Sequence, residues 1–218
     1  MNTPTKITMV RIMLTPLMLF FYLADFIPYN LGKLFAFICF FGGVMTDFLD
    51  GYLARKNNQV TNLGKFLDPI ADKLLVTTCM VLLITGANPV IPTITGIIFM
   101  FFNLQRDYMI TGFRQIGQLK GIIVASDIPG KLKAIFQYIT LNICMFYAYI
   151  RELSWGADHT LHTVYLIVMY AFIVLTCLFM IISEVNYIIK NPNVLKDEPK
   201  ETAPKTEEKK SETTTAQS

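Results

Sequence analysis

Apolar runs of roughly twenty residues or more, separated by short polar breaks, fill the first 190 positions of the chain. A helix rises about 1.5 Å per residue, so about 20 apolar residues cover the ~30 Å hydrocarbon layer of a bilayer. Six runs of that kind can be read, at about 7–28, 31–54, 64–86, 89–113, 131–150 and 161–189. Pro16 lies inside the first and Arg11 near its start, and from Leu31 to Thr46 the second carries the single charge of Lys33. Asn88-Pro89 and Trp155-Gly156 punctuate two of the connections, as turn residues do. The pattern predicts an all-α fold, an integral membrane bundle of six transmembrane helices over residues 1–189. From Asn191 onward large apolar residues nearly vanish and Lys, Glu, Thr and Pro alternate. Such a stretch buries too little surface to offset its ordering entropy, so 190–218 is expected to be a disordered cytoplasmic tail.

Composition supports this picture. Apolar residues make up 53% of the chain and charged residues 16%, against about 25% charged in an ordinary soluble domain; mean hydropathy is +0.47. A largely disordered chain and a small disulfide scaffold are excluded, and a net charge of +3 is too weak to argue for nucleic acid. Cys39, Cys79, Cys144 and Cys177 sit in four different runs without metal-ligand spacing and read as small hydrophobes. His159 and His162 receive no role, and Trp155 marks the outer interface. The first run lacks a small-residue cleavage site and reads as a retained span.

The basic residues fix an orientation. With the N-terminus in the cytoplasm, Lys6, Arg11, Arg55, Lys56, Lys65, Arg106, Arg114, Lys120, Lys131, Lys133 and Lys190 all fall at or beside inner segments, and Lys33 and Arg151 fall outside. This is the positive-inside distribution, and it predicts a multi-pass protein of the cell membrane with both termini cytoplasmic.

Against that background the acids stand out. Asp47, Asp50, Asp68 and Asp72 crowd the junction of the second and third runs. Asp47 and Asp50 are three apart and share a helical face, which Gly51 and Ala54 continue. Gly64, Asp68 and Asp72 recur every four residues and share another. A short connection makes the two helices antiparallel neighbours, so two pairs of carboxylates can meet across them. Charges at membrane depth cost several kcal/mol each unless paired, and four carboxylates repel. Arg55 and Lys73 are too few to neutralise them. One or two hard divalent cations, Mg²⁺ first and Mn²⁺ second, are therefore expected. Gly51, Ala54 and Gly64 remove bulk where a ligand could approach the backbone.

Asp47-x-x-Asp50-Gly51-x-x-Ala54-Arg55, eight residues, then Gly64-x-x-x-Asp68-x-x-x-Asp72 resembles the signature of the CDP-alcohol phosphatidyltransferase family, with every signature position matched. The resemblance implies a six-helix bundle, usually a homodimer, whose site opens to the cytoplasm. It implies transfer of a phosphatidyl group from a CDP-linked lipid to an alcohol, with release of CMP. It also implies that Asp47, Asp50, Asp68 and Asp72 hold the metal ions and that Asp47, Asp50, Gly51, Ala54, Arg55 and Gly64 bind the CDP-lipid. Asp72 is then the general base that takes the acceptor's proton.

Arg106, Arg114, Lys131 and Lys133 are more cations than one diphosphate needs, and they suggest an acceptor with its own phosphate. The positive-inside bias would place basic residues there as well. Arg106-Asp-x-x-x-Thr-Gly-x-Arg114, Ser126-x-x-x-Gly130-Lys131-x-Lys133 and the Thr61–Lys73 segment resemble the branch of that family that makes phosphatidylglycerophosphate. So does the start of the chain, with Asn2, Pro4, Thr8, Arg11 and Pro16. Thr5 and Ala134 depart from that branch, which more often has Asn and Thr there. The substrates implied are CDP-diacylglycerol and sn-glycerol 3-phosphate. Inositol phosphate, serine or a phosphatidyl lipid as acceptor are alternatives within the same chemistry, and a divalent-cation transporter is the alternative outside it. A transporter is expected to show internal repeats and broken helices, neither of which is evident in the sequence.

Overall fold

A computed structural model of the chain describes residues 3–24, 26–27, 31–57, 62–86, 88–119, 128–151 and 159–190; within these, side chains are described except at 3–5, 48–57, 62–66, 118–119, 159 and 161. The described residues form six helices: α1 (Thr3–Leu23), α2 (Leu31–Asn57), α3 (Asn62–Ile84), α4 (Thr93–Leu119), α5 (Ile128–Ile150) and α6 (His159–Lys190). The all-α six-helix bundle expected from the apolar runs is therefore present. The expected tail, 191–218, lies outside the described residues, as does Trp155.

Helix limits differ from the apolar runs in a consistent way. α1 begins at Thr3 and α4 runs on to Leu119, because helix formation continues through polar residues wherever one face still packs. α5 begins at Ile128, with Pro129 in its first turn, where a missing N–H costs nothing. Pro16 and Pro69 lie inside α1 and α3. α3 ends where Gly86 turns to φ +99°, a conformation that glycine adopts without strain. The chain then folds back, and Val90 N and Ile91 N both donate to Leu83 O, at 2.9 and 3.0 Å.

α1 packs along α2 and along α3, α5 packs on α6 and α2, and α4 rests on α6 and α3. The α1–α2 approach is close at Gly32, where a Cβ would come within 2.6 Å of the Phe21 carbonyl oxygen. The core centres on Phe40, Leu75, Cys79, Leu83, Leu141, Cys144 and Met169, all at most 1% exposed. A smaller cluster of Ile110, Phe113 and Tyr187 joins α4 to α6. The four cysteines are unbridged, three buried and Cys177 half-buried, as expected of small hydrophobes.

Polarity is inverted relative to a water-soluble fold. Arg11, Thr15, Asn103, Lys133, Gln137, Thr140, Thr176 and Ser183 are buried. Phe20, Ile94, Phe101, Ile167, Leu178, Ile181 and Ile189 are exposed. A surface this apolar is stable against lipid rather than water. Among the described residues, two helices carry windows long and apolar enough to cross a membrane: Lys6–Leu23 in α1 and His162–Lys190 in α6.

Candidate active site

α2 delivers Asp47, and the first half of α3 delivers Asp68 and Asp72. α2 and α3 touch each other sparingly; α1 is wedged along both. The sequence pairs the acids across two helices, whereas the structure ties them to a third and a fourth. Thr8 and Arg11, three residues apart on α1, present one face to the acids. Arg11 is fully buried, and its Nη1 lies 2.8 Å from Asp47 Oδ1. Thr8 Oγ1 donates to Asp68 Oδ1. From α5, the Tyr138 hydroxyl donates to Asp72 Oδ1. Each of the three carboxylates is thus oriented through one oxygen by a neighbouring helix.

Asp47, Asp107 and Arg11 all lie within electrostatic reach of Asp72. Arg11 is therefore a counter-ion of this corner that charge counting around Arg55 and Lys73 overlooks. Lys73 turns away toward α4, where its Nζ donates to Thr111 Oγ1 at 2.8 Å and lies 4.7 Å from the centre of the Tyr108 ring. The side chains of Asp50, Gly51, Ala54, Arg55 and Gly64 lie outside the described residues, although α2 is helical through Asn57 and α3 from Asn62. Among the described residues no three of His, Cys, Asp or Glu group closely enough to hold a metal ion. The donor chemistry nevertheless suits a hard divalent cation, since every acid at this corner offers carboxylate oxygen.

Asp72 also opens into a cavity of about 190 Å³ between α3, α4 and α5. Lys73, Arg106, Arg114 and Lys133 line it, with Asp72 and Asp107 as its two carboxylates. Three of the four cations expected to meet an acceptor phosphate are therefore brought together. Lys131 is exposed and does not line the cavity, because it sits two residues from Lys133 and so on another side of α5.

The cavity's cations are held in a network. Lys133, buried at 2% exposure, donates to Asp107 Oδ1 and Oδ2 at 3.0 and 3.2 Å and to Asn103 Oδ1 at 3.1 Å. Arg106 Nη1 reaches Asp107 Oδ1 at 3.0 Å, and its Nη2 donates to Ser183 Oγ on α6 at 2.7 Å. Next to it, Gln105 Nε2 donates to Glu184 Oε1 at 2.8 Å. Asp107 thus compensates two cations at once, and the lining keeps a surplus of positive charge.

Sequence reasoning did not single out Tyr138, Asn103 or Gln137, and it noted Thr8, Arg11 and Asp107 without giving them partners. A signal was present: a polar residue within an apolar run turns inward and needs a partner. At the far end of α5, the Tyr147 hydroxyl meets His162 Nδ1, Tyr147 stacks on Tyr165, and Arg151 Nη2 donates to Asn88 O at 2.6 Å. These contacts tie the opposite end of the bundle together, and they give His162 a structural partner.

Inward acids at a helix junction, an inverted surface and a cationic cavity beside Asp72 together describe a membrane-embedded site for phosphorylated ligands. The chain belongs to the CDP-alcohol phosphatidyltransferase family, whose profile matches residues 1–182, and with that membership it is an enzyme of the membrane. Its relatives include the CDP-diacylglycerol–glycerol-3-phosphate 3-phosphatidyltransferase of Bacillus subtilis (strain 168), 35% identical over 158 residues, which are 67% of this chain and 77% of that protein. The protein of the same name from Haemophilus influenzae is 32% identical over 184 residues, 83% of this chain and 90% of its own length. That from Rickettsia prowazekii is 36% identical over 143 residues, covering 65% and 74%.

Proposed function

We propose that this chain transfers the phosphatidyl group of CDP-diacylglycerol to sn-glycerol 3-phosphate, giving phosphatidylglycerophosphate and CMP. The observation that carries this reading is the cavity in which Asp72 faces Lys73, Arg106, Arg114 and Lys133. A positive-inside bias alone puts basic residues near a membrane surface; it does not gather them around one cavity that Asp72 also lines. The surplus positive charge suits an acceptor that carries a phosphate, which favours glycerol phosphate over serine. The modest volume disfavours a second phosphatidyl lipid.

In this reading Asp47, Asp50, Asp68 and Asp72 hold one or two Mg²⁺ ions, with Mn²⁺ as a substitute. Bound Mg²⁺ supplies Lewis-acid stabilisation of the charge that develops on the diphosphate. Asp47, Asp50, Gly51, Ala54, Arg55 and Gly64 take the CDP-lipid. Arg106, Arg114 and Lys133, with Lys131 nearer the surface, receive the acceptor's phosphate. Asp72 accepts the proton of the acceptor hydroxyl as its oxygen bonds to the lipid-side phosphorus. The bond from that phosphorus to the CMP phosphate breaks, and CMP leaves with the electron pair. Thr8, Arg11 and Tyr138 orient the carboxylates and do no chemistry. The bundle spans the membrane six times, with both termini and the site on the cytoplasmic side, and works as a homodimer.

The test is a purified preparation with CDP-diacylglycerol, Mg²⁺ and separate labelled acceptors: glycerol 3-phosphate, inositol phosphate, serine and phosphatidylglycerol. CMP release matched by a phosphatidylglycerophosphate product, with glycerol 3-phosphate alone, is expected. Preference for another acceptor overturns the substrate assignment, and CMP release without any acceptor overturns the transfer mechanism.

A further inference from the structure

The cavity holds donors that the ionic network does not use. Asn103 and Gln137 are 1% and 4% exposed and both line it. Neither Asn103 Nδ2 nor Gln137 Nε2 has a hydrogen-bond partner among the described residues, and Arg106 Nε has none either. A buried donor without a partner is destabilising, so three such donors around one cavity point to a polar ligand that satisfies them.

The register of α5 orders these donors. Lys133 sits at the Asp107–Arg106 end, with Asn103 bound to it through Oδ1. Four residues on, about 6 Å along the axis, Gln137 lies beside Tyr138, which holds Asp72. The cavity thus has a cationic end and a base end one helical turn apart, and Gln137 belongs to the base end. A three-carbon phosphorylated polyol laid along it would put its phosphate on the cations and its terminal hydroxyl at Asp72. The middle hydroxyl then falls opposite Gln137.

We infer that Gln137 is a specificity-determining residue whose Nε2 donates to the non-reacting hydroxyl of a small phosphorylated polyol. The inference rests on the transfer reaction proposed above and adds which acceptor group is read, and by what. A site built to hydrogen-bond a hydroxyl rejects an analogue without it, because the donor is then left unpaired.

The experiment compares kcat/KM for sn-glycerol 3-phosphate and for 1,3-propanediol phosphate, which keeps the phosphate and terminal hydroxyl and lacks the middle one. The wild-type enzyme is expected to favour glycerol 3-phosphate by about tenfold to a hundredfold. In Gln137→Met, and in Gln137→Leu, that preference is expected to fall to within about threefold of unity, with the KM for CDP-diacylglycerol moved less than about twofold. Both acceptors are measured on the same preparation, so the folded fraction cancels from the ratio. A wild type that uses both acceptors equally overturns the role, as do variants that keep the wild-type ratio. A wild type that transfers to neither acceptor overturns the reaction itself, and is told apart by the missing CMP release.

Discussion

Tyr138 donates to Oδ1 of Asp72, and in the proposed reaction Oδ2 is left for the incoming alcohol. A hydrogen bond to a charged group contributes about 1.5–3 kcal/mol. Tyr138→Phe should therefore lower kcat by about tenfold or more while moving both KM values less than about threefold, a split that steady-state kinetics in detergent resolves. Asp68 plays a different part, so Asp68→Asn should abolish CMP release while the protein still inserts into the membrane fraction; retained release would count against its metal role. Arg114 is exposed at the cavity rim and is not part of the Asp107 network, so Arg114→Ala should raise the KM for glycerol 3-phosphate more than that for CDP-diacylglycerol. Equal effects would move Arg114 to the donor side. The acids were legible in the sequence because charge is rare at membrane depth and their spacing is helical. Tyr138 was not, since a tyrosine in an apolar run reads as one more aromatic until a neighbouring helix brings Asp72 to it.

Among the elements, α1 has the widest reach. It was legible as a span; that it walls the acidic corner was not, because sequence adjacency pairs α2 with α3 and says nothing of what lies against both. Its fit to α2 depends on Gly32, since a Cβ there meets backbone, which cannot swing aside as a side chain can. Gly32→Ala should lower stability by about 1–3 kcal/mol, visible as a reduced Tm in a thermal-shift assay of the solubilised protein. Gly42→Ala, ten residues along the same helix, meets nothing within 4 Å and should be neutral or stabilising by up to about 1 kcal/mol through helix propensity. Were both substitutions equally harmful, the close approach at Gly32 would not be the cause, since helix propensity favours alanine at both positions.

For the molecule as a whole, the six-helix architecture could be read almost entirely from the apolar runs, because membrane spans carry a strong one-dimensional signal. Their ends could not, since α4 continues past its apolar run through the exposed Arg114 and Gln115. The orientation rests on Lys and Arg placement and is open to direct test. Lys6→Cys should react with a membrane-impermeant maleimide only from the cytoplasmic side, and Asn88→Cys only from the other; both positions are exposed. The ion pair of the buried Arg11 with Asp47 bears on biogenesis as well. During synthesis the guanidinium leaves the ribosome 36 residues ahead of its carboxylate partner, and a lone cation is poorly tolerated by lipid. The first helix would then settle into the bilayer only once the second has emerged from the translocon, so the earliest unit of assembly is the hairpin of the two.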